Sequence, residues 1–392
     1  MPFAELLSAP RFSQTHRWAG RGDEFFLGET EATRSLYVSS GDAVHFDLEG
    51  RWHRARLGAR SFLRGLDGRV LQRFAGALRE DARVSLAGPV HASVAALVTR
   101  AMPGAPPELE AAAGWSIARL LAERGRFLEV YRPVGVLPPD RYRSLIVQLT
   151  EGCAFNGCLF CALYKGQPHR VKPVEEIARH VRAVKDFVGS GVVERRGVFL
   201  GEANALCAPQ ATLLGALDVL EAELPQLVHG TGPSRGVSAF IDAFTEWKSE
   251  LELRALVARG LTRIFLGVES GDERTLGVLG KPSRESAVRV VVERAKASGL
   301  SLGLTLLVGL GPEHVDASAA LVSSLPLDDS DVVYLSPLSL DPGSALEREL
   351  GRRGLRSPSK EALNAEYAHL RAALSQCRAQ VARYDVRRFV YA

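Results

Sequence analysis

The sequence predicts an α/β protein: a barrel or three-quarter barrel of parallel strands, preceded by a small mixed α+β domain and followed by a helical tail. Three observations carry this reading. Six apolar, strand-like runs alternate with amphipathic helices after residue 143, and such runs indicate a parallel sheet buried on both faces. A proline-rich stretch, YRPVGVLPPDRYR (131–143), separates that rhythm from what precedes it and reads as a linker or extended crossing segment. The chain has 392 residues, 46% of them hydrophobic and 24% charged, enough for two domains and a substantial core.

Taken in order, SLYVSS (35–40) and VHFDLEGRWHRARL (44–57) read as strands, the second a hairpin turning at Glu49-Gly50. VHASVAALVTRAM (90–102) and AAGWSIARLLAER (112–124) read as helices, with apolar residues recurring at three and four. Beyond the linker the strands are 144–149, 197–201, 236–240, 263–268, 300–310 and 331–338. Helices fall between them: 173–188, with Ile177, Val181, Val184 and Val188 on one stripe, then about 210–224, 246–259, 284–298 and 314–324. The expected boundaries are 1–139 for the accessory domain, 140–345 for the barrel and 346–392 for a C-terminal extension capping it. In serial βα folds the chemistry sits at the C-terminal ends of the strands.

Charge and cysteine usage narrow the partners. The chain has 49 basic and 45 acidic residues, a net charge of +4, too balanced to point to nucleic acid or a membrane surface. It has no apolar run of about 18 residues for a membrane span, and the first 20 residues lack the apolar centre of a signal peptide. Five cysteines in a chain of this length do not make a disulfide framework. The expected compartment is the cytoplasm, where thiols stay reduced.

Three of those cysteines crowd into TEGCAFNGCLFCALYKG (150–166), spaced Cys153-x4-Cys158-x2-Cys161, directly after the first barrel strand. Three thiolates on one loop suit an iron–sulfur cluster. A structural zinc normally takes four closed ligands, and His169 is the one candidate for a fourth. Three ligands on a four-iron cluster leave one iron open to a small chelating molecule.

These residues resemble the radical S-adenosylmethionine (SAM) superfamily. Its members carry a three-cysteine loop after strand one of a partial (β/α)6 barrel, with an aromatic before the last cysteine, here Phe160. The common spacing is C-x3-C-x2-C; the C-x4-C-x2-C found here resembles a branch with the longer first interval. The resemblance covers about residues 144–345. It implies a [4Fe–4S] cluster on Cys153, Cys158 and Cys161, with SAM on the fourth iron. It also implies SAM contacts from Gly201 and Glu202 after strand two, Ser238 on strand three, Glu269 and Ser270 after strand four, Val308 on strand five and Leu338 after strand six. Each has a plainer role as well, such as a strand end, a small barrel residue or, for Ser270 or Asp272, a helix N-cap.

Cys207 and Cys377 are too few for an all-cysteine auxiliary cluster, and no D-x-H-x-x-G motif is present. Cys207, just past Gly201-Glu202, is a candidate hydrogen-atom donor. Tyr391 in the tail is a candidate radical relay over the barrel mouth. The activity implied is reductive cleavage of SAM to methionine and a 5′-deoxyadenosyl radical, which takes hydrogen from a small biosynthetic molecule. Flavodoxin or ferredoxin would supply the electron. The alternatives are aminocarboxypropyl-radical transfer, RNA modification, or a non-catalytic Fe–S or zinc module.

Overall fold

The computed structural model describes residues 12–74, 77–78, 87–230, 235–245, 247–340, 342–386 and 391. Most of the N-terminal stretch considered above for a signal peptide lies outside the described residues. The chain divides into two compact units. One spans Met1–Pro133 with Ala183–Arg195 and Arg387–Ala392; the other spans Val134–Arg182 with Arg196–Val386.

The first unit is built on an antiparallel meander of eight strands, each paired with the next: β1 (Gln14–Gly20), β2 (Asp23–Glu29), β3 (Thr33–Val38), β4 (Ala43–Asp47), β5 (Trp52–Leu57), β6 (Arg60–Arg64), β7 (Val70–Phe74) and β8 (Ala77–Leu78). The expected hairpin over 44–57 forms as β4 and β5. Its turn needs Gly50, whose φ is +82° and whose missing Cβ would lie 2.3 Å from the Ala111 carbonyl carbon. Phe25, Leu27, Leu36, Val44, Phe46 and Trp52 pack against Val90, Val94 and Leu97 of helix α1 (Ala87–Ala101). Helix α2 (Ile117–Val130) begins at an N-cap, Ser116, whose side chain accepts from Arg119 N. The sheet is larger than the sequence suggested, because β1 is polar and at most partly buried and β6 is a short, partly polar strand of five residues.

Tyr391, the candidate relay residue, belongs to this unit. Its ring meets Tyr131 edge-on at 5.7 Å, the two hydroxyls are 3.4 Å apart, and the Arg195 guanidinium lies 5.4 Å from its ring centre. The Tyr391 side chain is 1% exposed in that packing.

The second unit carries a parallel sheet in the order β17-β16-β15-β14-β13-β12-β9. Its strands are β9 (Leu145–Gln148), β12 (Val198–Gly201), β13 (Val237–Ile241), β14 (Leu261–Glu269), β15 (Ser301–Val308), β16 (Val332–Pro337) and β17 (Gln380–Arg383). A small antiparallel pair, β10 (Thr150–Glu151) and β11 (Arg170–Val171), follows β9. The intervening helices are α3 (Val174–Val188), α4 (Gln210–Glu223), α5 (Glu250–Val257), α6 (Glu273–Val278), α7 (Glu285–Ala297) and α8 (Pro312–Ser324). The tail adds α9 (Ala345–Arg352) and α10 (Lys360–Ala373). Six strands stand where the apolar runs predicted them. The seventh, β17, comes from the tail and pairs with β16 from Val332↔Gln380 to Leu335↔Arg383. No helix among the described residues is long and apolar enough to cross a membrane.

Candidate active site

The cysteine loop leaves the sheet at the C-terminal end of β9 and is clasped at its base. Thr150 pairs with Val171 and Glu151 with Arg170, so the segment between them closes on itself. Arg170 reinforces the clasp with charged hydrogen bonds to Glu151 (2.8 Å) and Glu176 (2.7 Å). Gly152 starts the loop at φ +65°, where a Cβ would sit 2.7 Å from Pro168 O. Asn156 turns it at φ +49°, a conformation asparagine tolerates better than most residues. Its amide nitrogen donates to Tyr164 O at 2.8 Å, and its backbone N–H points at Cys153 Sγ at 3.3 Å. Leu159 N donates to Leu279 O at 2.9 Å, which pins the middle of the loop to the end of α6.

The thiols face a common, partly enclosed space. Burial pushes the Cys158 thiol up to about 11, with Lys281 opposing that shift and Glu269, Cys161 and Cys153 adding to it. Burial also raises Cys161. Such thiols stay protonated at neutral pH unless a cation draws off the protons. Among the described residues, the only histidine, cysteine or acidic trio with ligand atoms within 4.8 Å of one another is His16, Glu29 and Glu108. The three sulfurs are therefore spread wider than the about 3.8 Å that a tetrahedral zinc with bonds of about 2.3 Å imposes. The three thiols influence one another's charge, and thiolates on one loop are the ligand type of an iron–sulfur cluster.

A buried network ties the loop to the sheet. Tyr164, 5% exposed, hydrogen-bonds Glu202, and Gln148 Nε2 donates to the same carboxylate. Glu202 N donates to Thr150 Oγ1 at 3.0 Å. Burial raises the Glu202 carboxyl, against bonds from Gln148, Tyr164 and the Gly135 backbone that favour its charged form. Glu202 thus braces the cysteine loop against β9, leaving its carboxylate less available to a SAM amine than the resemblance implies. Gly201 precedes it at the end of β12, on the same face as Phe199.

The other expected residues divide. Phe160 and Leu338 come together in one apolar cluster with Leu279, Leu307 and Leu346. Ser238 is fully buried on β13, and its hydroxyl has no hydrogen-bond partner among the described residues, which suits a polar ligand atom. Glu269 follows a bulge in β14, at φ +65°. Its carboxylate takes Lys281 Nζ at 2.9 Å. Ser270 is turned away: its hydroxyl lies 2.8 Å from His314 Nδ1 and accepts from Asp272 N at 3.0 Å. Asp272 caps α6 through Arg274 N and Thr275 N. Val308 is buried at the end of β15, and its carbonyl accepts from Leu338 N. Cys207 Sγ lies 3.8 Å from His169 Nε2, and its thiol is pushed up to about 11 by burial, then by the charges of Asp242 and Cys153.

Lys281, Tyr164, Gln148 and Glu366 were not anticipated. Glu366 on α10 accepts from Gly309 N (2.6 Å), Leu310 N (2.9 Å) and Gly311 N (2.8 Å), fixing the turn after β15. Their sequence distance from their partners left no local pattern to detect.

Residues 147–322 match the model of the radical SAM superfamily. This segment is a radical SAM domain. Superfamily members are enzymes that use a [4Fe–4S] cluster and SAM, and Cys153, Cys158 and Cys161 fit the cluster-binding motif. The chain is 27% identical over 285 residues to the bovine mitochondrial radical S-adenosyl methionine domain-containing protein 1, covering 71% of this chain and 61% of that protein. It is 24% identical over 221 residues to an uncharacterized methyltransferase of Pyrococcus horikoshii, covering 54% of this chain and 44% of the relative. The chain thus spans less than two thirds of both curated relatives. Among solved structures, coproporphyrinogen III oxidase of Escherichia coli, a radical SAM enzyme, aligns at a TM-score of 0.45 and 18% identity, covering 64% of this chain and 55% of that one. In the radical SAM domain the fit to the cofactors rests on the cysteine loop, the unpartnered Ser238 hydroxyl and the apolar patch around Phe160.

Proposed function

We propose that this protein is a radical SAM enzyme acting on a small biosynthetic molecule. The observation that carries the proposal is the position of the clasped three-cysteine loop, at the C-terminal end of the first strand of a parallel sheet. When bound, the cluster and SAM supply reductive carbon–sulfur cleavage to methionine and a 5′-deoxyadenosyl radical, which abstracts hydrogen from the substrate.

The chain's own residues bind, orient and exclude water. Cys153, Cys158 and Cys161 are the proposed cluster ligands, held by the Asn156 and Leu159 hydrogen bonds. Ser238 offers an uncommitted hydroxyl to the cofactor, and Gly201 lets backbone come close. Phe160, Leu338 and Leu307 form an apolar wall suited to the adenine end, where stacking is worth about 1–3 kcal/mol by analogy with base–aromatic contacts. Glu269, with Oε1 held by Lys281, offers its other oxygen to a ribose hydroxyl or an ammonium. Cys207, whose Sγ lies 3.8 Å from His169 Nε2, is the proposed hydrogen-atom donor. The electron comes from a flavodoxin or ferredoxin, and the compartment is cytoplasmic.

The test is anaerobic. The reconstituted, reduced protein is given SAM and the nucleoside product is identified by mass spectrometry. 5′-Deoxyadenosine with methionine is expected, and it opens a substrate search by deuterium transfer into that product. Methylthioadenosine would replace this reading with aminocarboxypropyl transfer. Zinc in place of iron, with SAM intact, would overturn it.

A further inference from the structure

The N-terminal unit holds a polar cluster that the radical chemistry does not use. In the β1–β2 pair, Gln14 stands opposite Glu29 and His16 opposite Leu27, so His16 and Glu29 are diagonal neighbours on one face. Glu108 joins them from the short turn Pro107–Leu109. His16 Nε2 lies 3.4 Å from Glu29 Oε1 and 3.8 Å from Glu108 Oε2, and all three atoms lie within 4.8 Å of one another.

Each of those three atoms is buried, and none has a hydrogen-bond partner among the described residues. Glu29 is only 9% exposed. Its other oxygen accepts from Arg34 Nε at 3.3 Å, which leaves Oε1 aimed at the cluster. Two carboxylate oxygens and an imidazole nitrogen left unsatisfied are costly. A proton on His16 would give ion pairs of 3.4 and 3.8 Å with the two carboxylates, longer than the about 2.7–3.2 Å of a good N–H···O bond. A metal would satisfy all three atoms at once. Bonds of about 2.0–2.2 Å at a tetrahedral angle hold ligand atoms about 3.4 Å apart.

We propose that His16, Glu29 and Glu108 bind a single divalent metal ion of the zinc type. Three protein ligands leave the fourth position of a tetrahedral ion to a water molecule, and the His16 and Glu108 side chains are 34% and 28% exposed. Arg34 orients the Glu29 carboxylate from outside. The ion ties the β1–β2 pair to the turn at Pro107–Leu109. An imidazole and two carboxylates suit zinc, ferrous iron or manganese and offer no thiolate.

The test uses the full-length protein with its iron–sulfur cluster reconstituted, so that the cysteine loop is occupied. The protein is incubated with zinc chloride and desalted. Zinc per chain is measured by mass spectrometry, and its coordination by X-ray absorption at the zinc edge. The expected result is a single retained zinc with only nitrogen and oxygen neighbours. It is lost in His16→Ala and in the conservative Glu108→Gln, both with wild-type iron content and far-UV circular dichroism. Failure of the wild type to retain zinc, a sulfur shell around the zinc, or equal retention by Glu108→Gln would each overturn the proposal.

Discussion

Lys281 Nζ lies 2.9 Å from Glu269 Oε1, and both side chains are buried beside the cysteine loop. The pair sets the local charge balance, since Lys281 favours the Cys158 thiolate and Glu269 opposes it. Removing one partner of a buried pair leaves the other charge uncompensated, at a cost of about 3–5 kcal/mol. Lys281→Met should therefore lower urea stability by about that much and reduce iron retained per chain. The double variant Lys281→Met/Glu269→Gln should recover much of the stability. If Lys281→Met unfolds at the wild-type urea midpoint, the pair is not a structural unit.

Glu366 joins parts of the chain more than fifty residues apart, since its carboxylate accepts three successive amides, those of Gly309, Leu310 and Gly311. Hydrogen bonds to a charged group contribute about 1.5–3 kcal/mol each. In Glu366→Ala those amides should exchange with deuterium much faster while the strands β14 and β15 stay protected. Unchanged exchange at Gly309–Gly311 would show that the turn holds its shape without α10.

The contrast between Glu366 and the cysteine loop explains what was legible. The loop was readable because its information is local: three thiols, an aromatic and Asn-Gly lie within one short stretch. The six central strands were readable because burial on both faces forces continuous apolar runs, as in Leu145–Gln148 and Val332–Pro337. Strand β17 was not, because Gln380–Arg383 is a four-residue edge strand, partly exposed and half polar. The roles of Tyr164, Gln148 and Glu202 were hidden for a different reason. A buried carboxylate reads from sequence as a ligand-binding group, and only the fold shows that Gln148, 54 residues away, already satisfies it. The contact of the Ser270 hydroxyl with His314 of α8 was hidden in the same way.

Asn156 combines a left-handed backbone with a side-chain bond to Tyr164 O, so its two contributions separate by substitution. Asn156→Gly keeps the backbone conformation and loses the bond. Asn156→Val loses both, and the strained φ adds about 1–2 kcal/mol. Iron retained after reconstitution should fall in the order wild type, Asn156→Gly, Asn156→Val. Equal iron content in all three would mean that the cysteines alone set the loop.

His91 makes the first unit sensitive to acid. It is 1% exposed, and Trp52 Nε1 donates to its Nδ1 at 3.1 Å, which requires that nitrogen to be unprotonated. Burial, with the nearby Arg64 charge, lowers its pKa to about 4 from an ordinary 6.5. Between those values the unfolded chain binds a proton that the folded chain refuses. Stability is therefore full above pH 6.5 and falls as pH drops towards about 4, by about 2–3 kcal/mol at the lower end. His91→Gln keeps an acceptor for Trp52 and removes the titration. Urea unfolding followed by tryptophan fluorescence from pH 7 to pH 4 should show a steeper loss for wild type than for His91→Gln. Parallel curves would mean that His91 is protonated in the folded state, and that Trp52 finds another acceptor.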